Sequence, residues 1–480
     1  MKQRRVSPIS QLPLELLQEV FLHHVWANKS SPIDLALTSM TWYKAAITTS
    51  ALWSKIALGN GRTQAVMPYN FSVPGKVPCK DLTSFARAVK RAGRSPLELT
   101  IASGTLSFNE EKVKDFENSV DQEWLSRCKS LVWLNISALA GGHFFLRLFS
   151  SARYDMLEHL TIWSVTGPIG QEMNAFLQQV EDTAVNLRSL TVTPDKTFNW
   201  SIIGLPNYTK LLRRLHTLRV GFSGLWSLPA LTHLVELDIT LSGSGSQIVF
   251  YPPSTLARLT MRENVDTTLL IPSAFASLTD LTLESNQPWN NATSFPPFTS
   301  LLSLELRLLF LNLPTFTTPN LHSVILRPFS STQNTYCKPF TISGIEPKTL
   351  LIDRCPNESD LVEIIRQLSE KLESLHIPSR SRQHVLGSQL TSALSTSDKA
   401  SLAPELVSLT VTSDPPSNEE KQATILSNLN KIARRSEITG KAIDTRFGVF
   451  PHFNTSRALA PENKWEGTIQ WVGNSEADIQ

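Results

Sequence analysis

Few residues in this 480-residue chain stand at spacings that could do covalent or metal chemistry. His23 and His24 are adjacent in a stretch with helical periodicity, so their side chains diverge by about 100° and cannot share a metal as an i,i+4 pair would. The four cysteines, Cys79, Cys128, Cys337 and Cys355, include no CxxC pair and form neither a zinc knuckle nor a disulfide framework. They read as reduced thiols in the core or at the surface. Gly243 and Gly245 follow a strand-like run, but a third glycine is missing and the next residues, QIVFYPP, are not helical, as a dinucleotide loop requires. No HExxH, P-loop or GxSxG is present. The expectation is a non-enzyme with no catalytic residues, no metal and no cofactor.

Non-covalent chemistry is then what remains, and charge bounds it. Lys+Arg number 45 against 42 Asp+Glu, a net charge of +3. A nucleic-acid binder concentrates its basic residues in a stripe. Here the runs are short: Lys2, Arg4 and Arg5; Arg380 and Arg382; Arg434 and Arg435. Nucleic acid is not an expected partner. The opening MKQRRVSPISQLPLELL lacks an apolar signal core, and no run approaches 18 apolar residues, so no membrane is expected and the location is cytoplasmic and/or nuclear. The sequons at Asn28, Asn70, Asn135 and Asn207 carry no weight without a secretory route. With 41% hydrophobic and 18% charged residues, the chain can bury a large core.

Most of that core is periodic. The unit L-x-x-L-x-[LIVM] recurs as Leu131-Leu134-Ile136, Leu157-Leu160-Ile162, Leu187-Leu190-Val192, Leu215-Leu218-Val220, Leu234-Leu237-Ile239 and Leu256-Leu259-Met261. It continues as Leu278-Leu281-Leu283, Leu301-Leu304-Leu306, Leu321-Val324-Leu326, Leu372-Leu375-Ile377 and Leu406-Leu409-Val411, with a weaker copy at Leu350-Ile352. PLELTI at 96–101 offers a first strand. The mean step of about 25 residues lies in the leucine-rich-repeat range. Alternating apolar positions make a strand with one face inward, and such a strand buries that face only when neighbours stack on it. The fold class is therefore α/β: a short N-terminal helical module, then an irregular leucine-rich-repeat solenoid with a parallel sheet on its concave face. Long gaps should hold helices, such as AFLQQVEDTAVN at 175–186; short proline- and serine-rich gaps should hold extended returns. NEEKQATILSNLNKIARRSE at 418–437 reads as a capping helix with Ile425, Leu429 and Ile432 on one face.

Residues alternating with the buried pairs should face outward. Early in the array these are Trp133, Asn135, Thr161, Ser189 and Thr191. From the fifth unit they become charged: Glu236, Asp238, Arg258, Arg262, Asp280, Glu284, Glu305 and Arg307. Those eight make a mixed-sign patch, the candidate site for an unknown target protein. A solvated face with mutually neutral charges is the alternative.

Residues 10–58 remain. After Pro13, Leu16, Leu17, Val20 and Phe21 recur at helical spacing, Ser31-Pro32 caps a second helix, and a third segment carries Trp42, Ala46 and Ile47. Three short helices cannot cover all these side chains, so the segment is either a cap for the next domain or a docking module. LPLELLQEVF, followed by Ile33-Asp34-Leu35, Trp42, Ala46 and the closing Leu52-Trp53-x-x-Ile56, resembles an F-box; Thr38-Ser39-Met40 stands where that family has Val-Cys-Arg, and His24 where leucine is common. With the repeats, the chain is similar to fungal-type F-box proteins, the substrate receptors of SCF ubiquitin ligases. The resemblance implies an F-box at 8–58; a linker or helical connection at 59–94, the periodic repeats at 95–412 and a cap helix with tail at 413–480 would follow it. It also implies docking on a Skp-type adaptor, itself bound to a cullin scaffold, through Leu12, Pro13, Leu16, Leu17, Phe21, Leu35, Leu37, Trp42, Leu52 and Trp53. A scaffold that binds the adaptor without assembling a ligase is the alternative function.

Overall fold

The structure is a computed structural model. It describes residues 12–28, 30–59, 76–102, 110–120, 122–137, 140–166, 170–193, 207–222, 225–227, 231–241, 247–249, 253–262, 275–285, 297–308, 318–327, 345–352, 358–368, 370–379, 388–395, 402–413, 419–433, 444–449 and 468–471. The protein is α/β and divides into two compact units, Met1–Ser223 and Gly224–Gln480.

The first unit opens on helices α1 (Leu14–Asn28), α2 (Pro32–Ala36) and α3 (Met40–Thr48) and a 3-10 turn at Ser50–Trp53. Strands β1 (Lys55–Leu58) and β2 (Val77–Cys79) follow, then helix α4 (Leu82–Arg91) and strand β3 (Leu97–Ala102). The chain then alternates α5 (Glu110–Ser119), β4 (Cys128–Ser137), α6 (Ala140–Ser150), β5 (His159–Thr166), α7 (Gly170–Thr183), β6 (Ser189–Thr193), α8 (Thr209–Arg214) and β7 (Thr217–Phe222). Every pairing among these strands is parallel, in the order β2-β1-β3-β4-β5-β6-β7. The sheet thus begins at Lys55, ahead of the PLELTI strand.

The second unit has a small parallel pair, β8 (Leu225–Ser227) with β10 (Gln247–Val249), and a main row. That row runs β9 (Glu236–Leu241), β11 (Arg258–Arg262), β12 (Asp280–Ser285), β13 (Ser303–Leu308), β14 (Ser323–Leu326), β15 (Thr349–Ile352), β16 (Ser374–Ser379), β17 (Ser408–Ser413) and β18 (Asp444–Val449). Each strand lies parallel beside the next, and β19 (Thr468–Trp471) closes the row antiparallel to β18. Helices α9 (Glu358–Leu368), α10 (Ser388–Ser395) and α11 (Glu419–Ala433) fall in the later, longer connections. Among the described residues no helix lies between β9 and β15. In α11, Leu429 and Ile432 are buried; the side chain of Ile425 lies outside the described residues.

The repeat spacing explains the core. Leu160, Leu190 and Leu218 are register partners, as are Ile162, Val192 and Val220. In the second unit Leu237, Leu259, Leu281, Leu304, Val324 and Leu350 form one such row. All are buried, as are the leucines that open each unit, from Leu157 to Leu406. A fully buried leucine contributes about 1.5–3 kcal/mol, so each row stabilises the stack only while its neighbours cover it.

One register departs from expectation. Leu131 pairs with Leu160, and Trp133 with Ile162, so the true unit in β4 is Cys128-x-x-Leu131-x-Trp133. Trp133 therefore points inward, not outward, and is fully buried between Phe149 (4.9 Å, 79°), Phe176 (5.7 Å, 83°) and Phe145 (6.4 Å, 76°). The sequence offers two overlapping repeats here, and the aromatic side chains of α6 and α7 select the one that buries the larger ring. Leu134 is half-buried on the other face; the side chains of Asn135 and Ile136 lie outside the described residues. Thr161, Ser189 and Thr191 alternate with buried partners as expected.

Polar side chains tie five of the units to the one before. The residue preceding the opening leucine donates back to the previous unit's backbone: Asn186 Nδ2 to Asp155 O (2.8 Å), Arg214 Nη1 to Ala184 O (2.8 Å), Thr255 Oγ1 to Leu234 O (2.8 Å), Ser277 Oγ to Leu256 O (2.9 Å) and Asn320 Nδ2 to Thr299 O (2.7 Å). Two glutamates cap the next helix along. Glu181 Oε1 accepts from the backbone N–H of Lys210 (2.8 Å) and Leu211 (3.0 Å), and Glu358 Oε1 from that of Leu390 (2.6 Å).

Candidate partner-docking surfaces

The N-terminal helices form because their caps and periodicity agree. Ser31 Oγ accepts from Ile33 N (3.2 Å) ahead of Pro32, and Ser39 Oγ accepts from Trp42 N (3.2 Å) at the start of α3. Ser39 thus gives the Thr38-Ser39-Met40 departure a structural role. In α1, Leu17, Phe21 and Val25 recur every fourth residue and are buried. Phe21 packs on Trp42 at 4.9 Å, and Gln18 Nε2 donates to Thr48 Oγ1 (3.0 Å), joining α1 to α3. Trp53 is fixed by its Nε1 donating to Ala46 O (2.8 Å) and by the Arg91 guanidinium 4.5 Å over its ring.

This arrangement divides the ten expected adaptor contacts. Leu17, Phe21, Leu35, Leu52 and Trp53 are core. Leu12 and Trp42 are half-buried; Pro13, Leu16 and Leu37 are exposed, Leu37 at 80%. Leu16 and Val20 do not share the face of Leu17 and Phe21, because a spacing of four carries the inner stripe through 17, 21 and 25. Leu14, Val20, Trp26, Met40 and Tyr43 are exposed too and were not among the ten. Their signal was in the sequence: each lies off that stripe or beside a cap. Large apolar side chains thus stand exposed on α1, on α3 and at Leu37, the C-cap of α2.

The charged patch is built by register. On the face opposite Leu237, Leu259 and Leu281 stand Glu236, Arg258 and Asp280 as partners; further along come Thr240, Arg262, Glu284 and Arg307. The charges pair with one another. Arg258 meets Glu236 at 2.9 Å, Arg262 meets Asp238 at 3.0 Å, and Arg307 meets Glu305 at 2.7 Å and Glu284 at 3.4 Å. Arg327, absent from the sequence-based set, also reaches Glu305, at 3.0 Å. Asp280 accepts from Thr279 Oγ1 at 2.7 Å. The paired carboxylates lie deep, with side chains 16–18% exposed, whereas the guanidiniums are 31–58% exposed. Burial acts to lower the pKa of Arg307, but the charges of Glu305 and Glu284 outweigh it and raise the pKa above the usual arginine value. The ladder counts five carboxylates, Glu236, Asp238, Asp280, Glu284 and Glu305, against four arginines, a net charge of −1, yet the arginines of its ion pairs are the more exposed partners.

The residues considered for chemistry are placed as follows. His23 and His24 are exposed on α1. Cys79 and Cys128 are buried, and burial pushes both thiols up to about 12, far from nucleophilic at neutral pH. Cys337, Cys355, Gly243 and Gly245 lie outside the described residues. Among the described residues no group of three or more His, Cys, Asp or Glu is placed to hold a metal, and no helix is long and apolar enough to cross a membrane. A scan against protein-family models matches none to this chain. A search of curated proteins likewise matches none.

Proposed function

We propose that this chain is a substrate-recognition subunit of an SCF-type ubiquitin ligase, working in the cytoplasm or nucleus. Its F-box would dock on a Skp-type adaptor carried by a cullin, and its leucine-rich repeats would hold a target protein. The reading is carried by one observation: three N-terminal helices, two of them capped by serines, bury Leu17, Phe21 and Val25 and leave Leu14, Leu16, Val20, Trp26, Leu37, Met40 and Tyr43 exposed. The parallel repeated strands support the second half, since stacked repeats offer a long surface to a macromolecule. The chain itself performs no bond-making step in this reading. It raises the local concentration of target lysines near the ubiquitin-conjugating enzyme, and the rate follows from that proximity.

The test is co-purification of tagged full-length chain with adaptor and cullin. Leu16→Asp with Val20→Asp should lose adaptor capture at an unchanged melting temperature, because both residues face solvent. Leu17→Ala should instead cost about 2–5 kcal/mol of stability, the penalty of a core cavity. Undiminished capture by the folded Leu16/Val20 variant would refute the docking assignment. Capture of adaptor without cullin would mark a scaffold outside a ligase.

A further inference from the structure

On the outward face of the second unit, the described residues from β9 to β17 are charged, hydroxyl-bearing or histidine, apart from Pro378 on β16 and one adjacent aliphatic pair. Ile325 on β14 and Leu351 on β15 are register partners, each flanked by inward residues: Val324 and Leu326 are buried, as are Leu350 and Ile352. Side chains alternate across a strand, so these two aliphatic groups stand on the solvent side, where they are half-buried. Glu305 is the register partner of Ile325 on one side, and His376 that of Leu351 on the other. Two residues on from Ile325, just past the end of β14, Arg327 pairs with Glu305 on that face. Arg307 comes directly after Leu306 as Arg327 does after Leu326, and Leu306 and Leu326 are partners. Both guanidiniums draw on one carboxylate, that of Glu305. Arg307 gains a second acceptor in Glu284, at 3.4 Å. Arg327 does not share that partner. Its Nε is buried 3.0 Å from Glu305 Oε1, without the alignment of a hydrogen bond. The Arg327 side chain as a whole is 40% exposed, and an outward cation beside an apolar pair is a recognisable receptor: one acidic group and one aliphatic group, about 6.8 Å apart, the i,i+2 repeat of an extended chain.

We infer that β13 to β15 form a docking site for an extended peptide carrying an acidic residue and, two positions away, an aliphatic one. The carboxylate lies on Arg327 and Arg307, and the aliphatic side chain on Ile325 and Leu351. Charge complementarity selects the acid, because the carboxylates of this face are sunk beneath its guanidiniums. The site deepens the proposed function by giving the target's chemistry, and it rests on that reading only in taking the repeat face as the part that binds targets.

A phage-displayed library of random dodecapeptides, selected on the immobilised full-length chain, tests this. The enriched pool should show acid-x-aliphatic or aliphatic-x-acid spacing. It should bind about tenfold less well to a variant carrying Arg327→Gln and Ile325→Ser, the effect of losing one charge-assisted contact. The melting temperature of that variant should match wild type, as both substitutions lie outside the core. A pool without the acidic bias, a pool bound equally by the variant, or no enrichment at all overturns the site. Adaptor capture measured on the same preparations separates the two readings: capture without the peptide preference leaves the ligase reading standing, and the preference without capture leaves only the site.

Discussion

Burial sets the acid–base behaviour of single residues here, and Cys128 shows it most clearly. Its Sγ donates to Ser130 O at 3.4 Å, and the thiol is held at about 12 against an ordinary 9.0, through burial first. A folded-state pKa above the unfolded one favours folding fully below pH 9.0, and that contribution is lost as pH rises toward about 12. Urea unfolding across that window should therefore show stability falling less steeply in Cys128→Ala than in wild type, by up to about 1.4 kcal/mol per pH unit. Parallel curves would remove the thiol from the account. Trp133 gives a second test at this scale. Packed among Phe145, Phe149 and Phe176, it should cost about 3–5 kcal/mol when changed to Ala, measured by denaturant unfolding. On an open face the same change would cost under about 0.5 kcal/mol.

The element scale is where the sequence was most legible, and also where it misled. Every opening leucine from Leu157 onward, the cap at Ser31-Pro32, the helix expected at 175–186 and that at 418–437 stand close to where spacing put them, because each is a local pattern with a local cause. The β4 register was illegible because Leu131 fits two overlapping units, and the choice between them depends on rings of α6 and α7 brought close only by folding. In α1, Leu16 and Val20 were grouped with Leu17 and Phe21 for a similar reason: a hydrophobic run does not say which stripe the neighbours cover. The sharing of Glu305 by Arg307 and Arg327 is a product of register between strands, which no single unit encodes. Missed altogether was the polar residue ahead of five opening leucines, the source of the backbone bonds from Thr255, Ser277 and Asn320 among others. Thr255→Val, Ser277→Ala and Asn320→Ala should each cost about 0.5–1.5 kcal/mol in urea unfolding, the net worth of one hydrogen bond. Three neutral substitutions would mean that water replaces these bonds at no cost.

At the scale of the whole molecule, stacked strands contact their sequence neighbours and little else, so a defect should stay local within its unit. Leu281→Ala opens a cavity in β12, which pairs with β11 and β13. Hydrogen exchange should quicken in Arg258–Arg262 and Ser303–Leu308 and leave Ser408–Ser413 as it was. Acceleration spread evenly through the second unit would instead show a single cooperative core.

The same construction carries a hazard of polymerisation. A row of strands all running one way presents backbone donors and acceptors to any further strand, and a copy of the same chain added head to tail would extend it without closure. Two features oppose this. In the first unit the three-residue strand β2 holds Pro78, which has no N–H to offer an incoming strand. In the second, β19 runs against β18, so a strand arriving in the direction of the stack meets a reversed template. Proline at one site and a reversal at the other each oppose end-to-end extension of the row of strands.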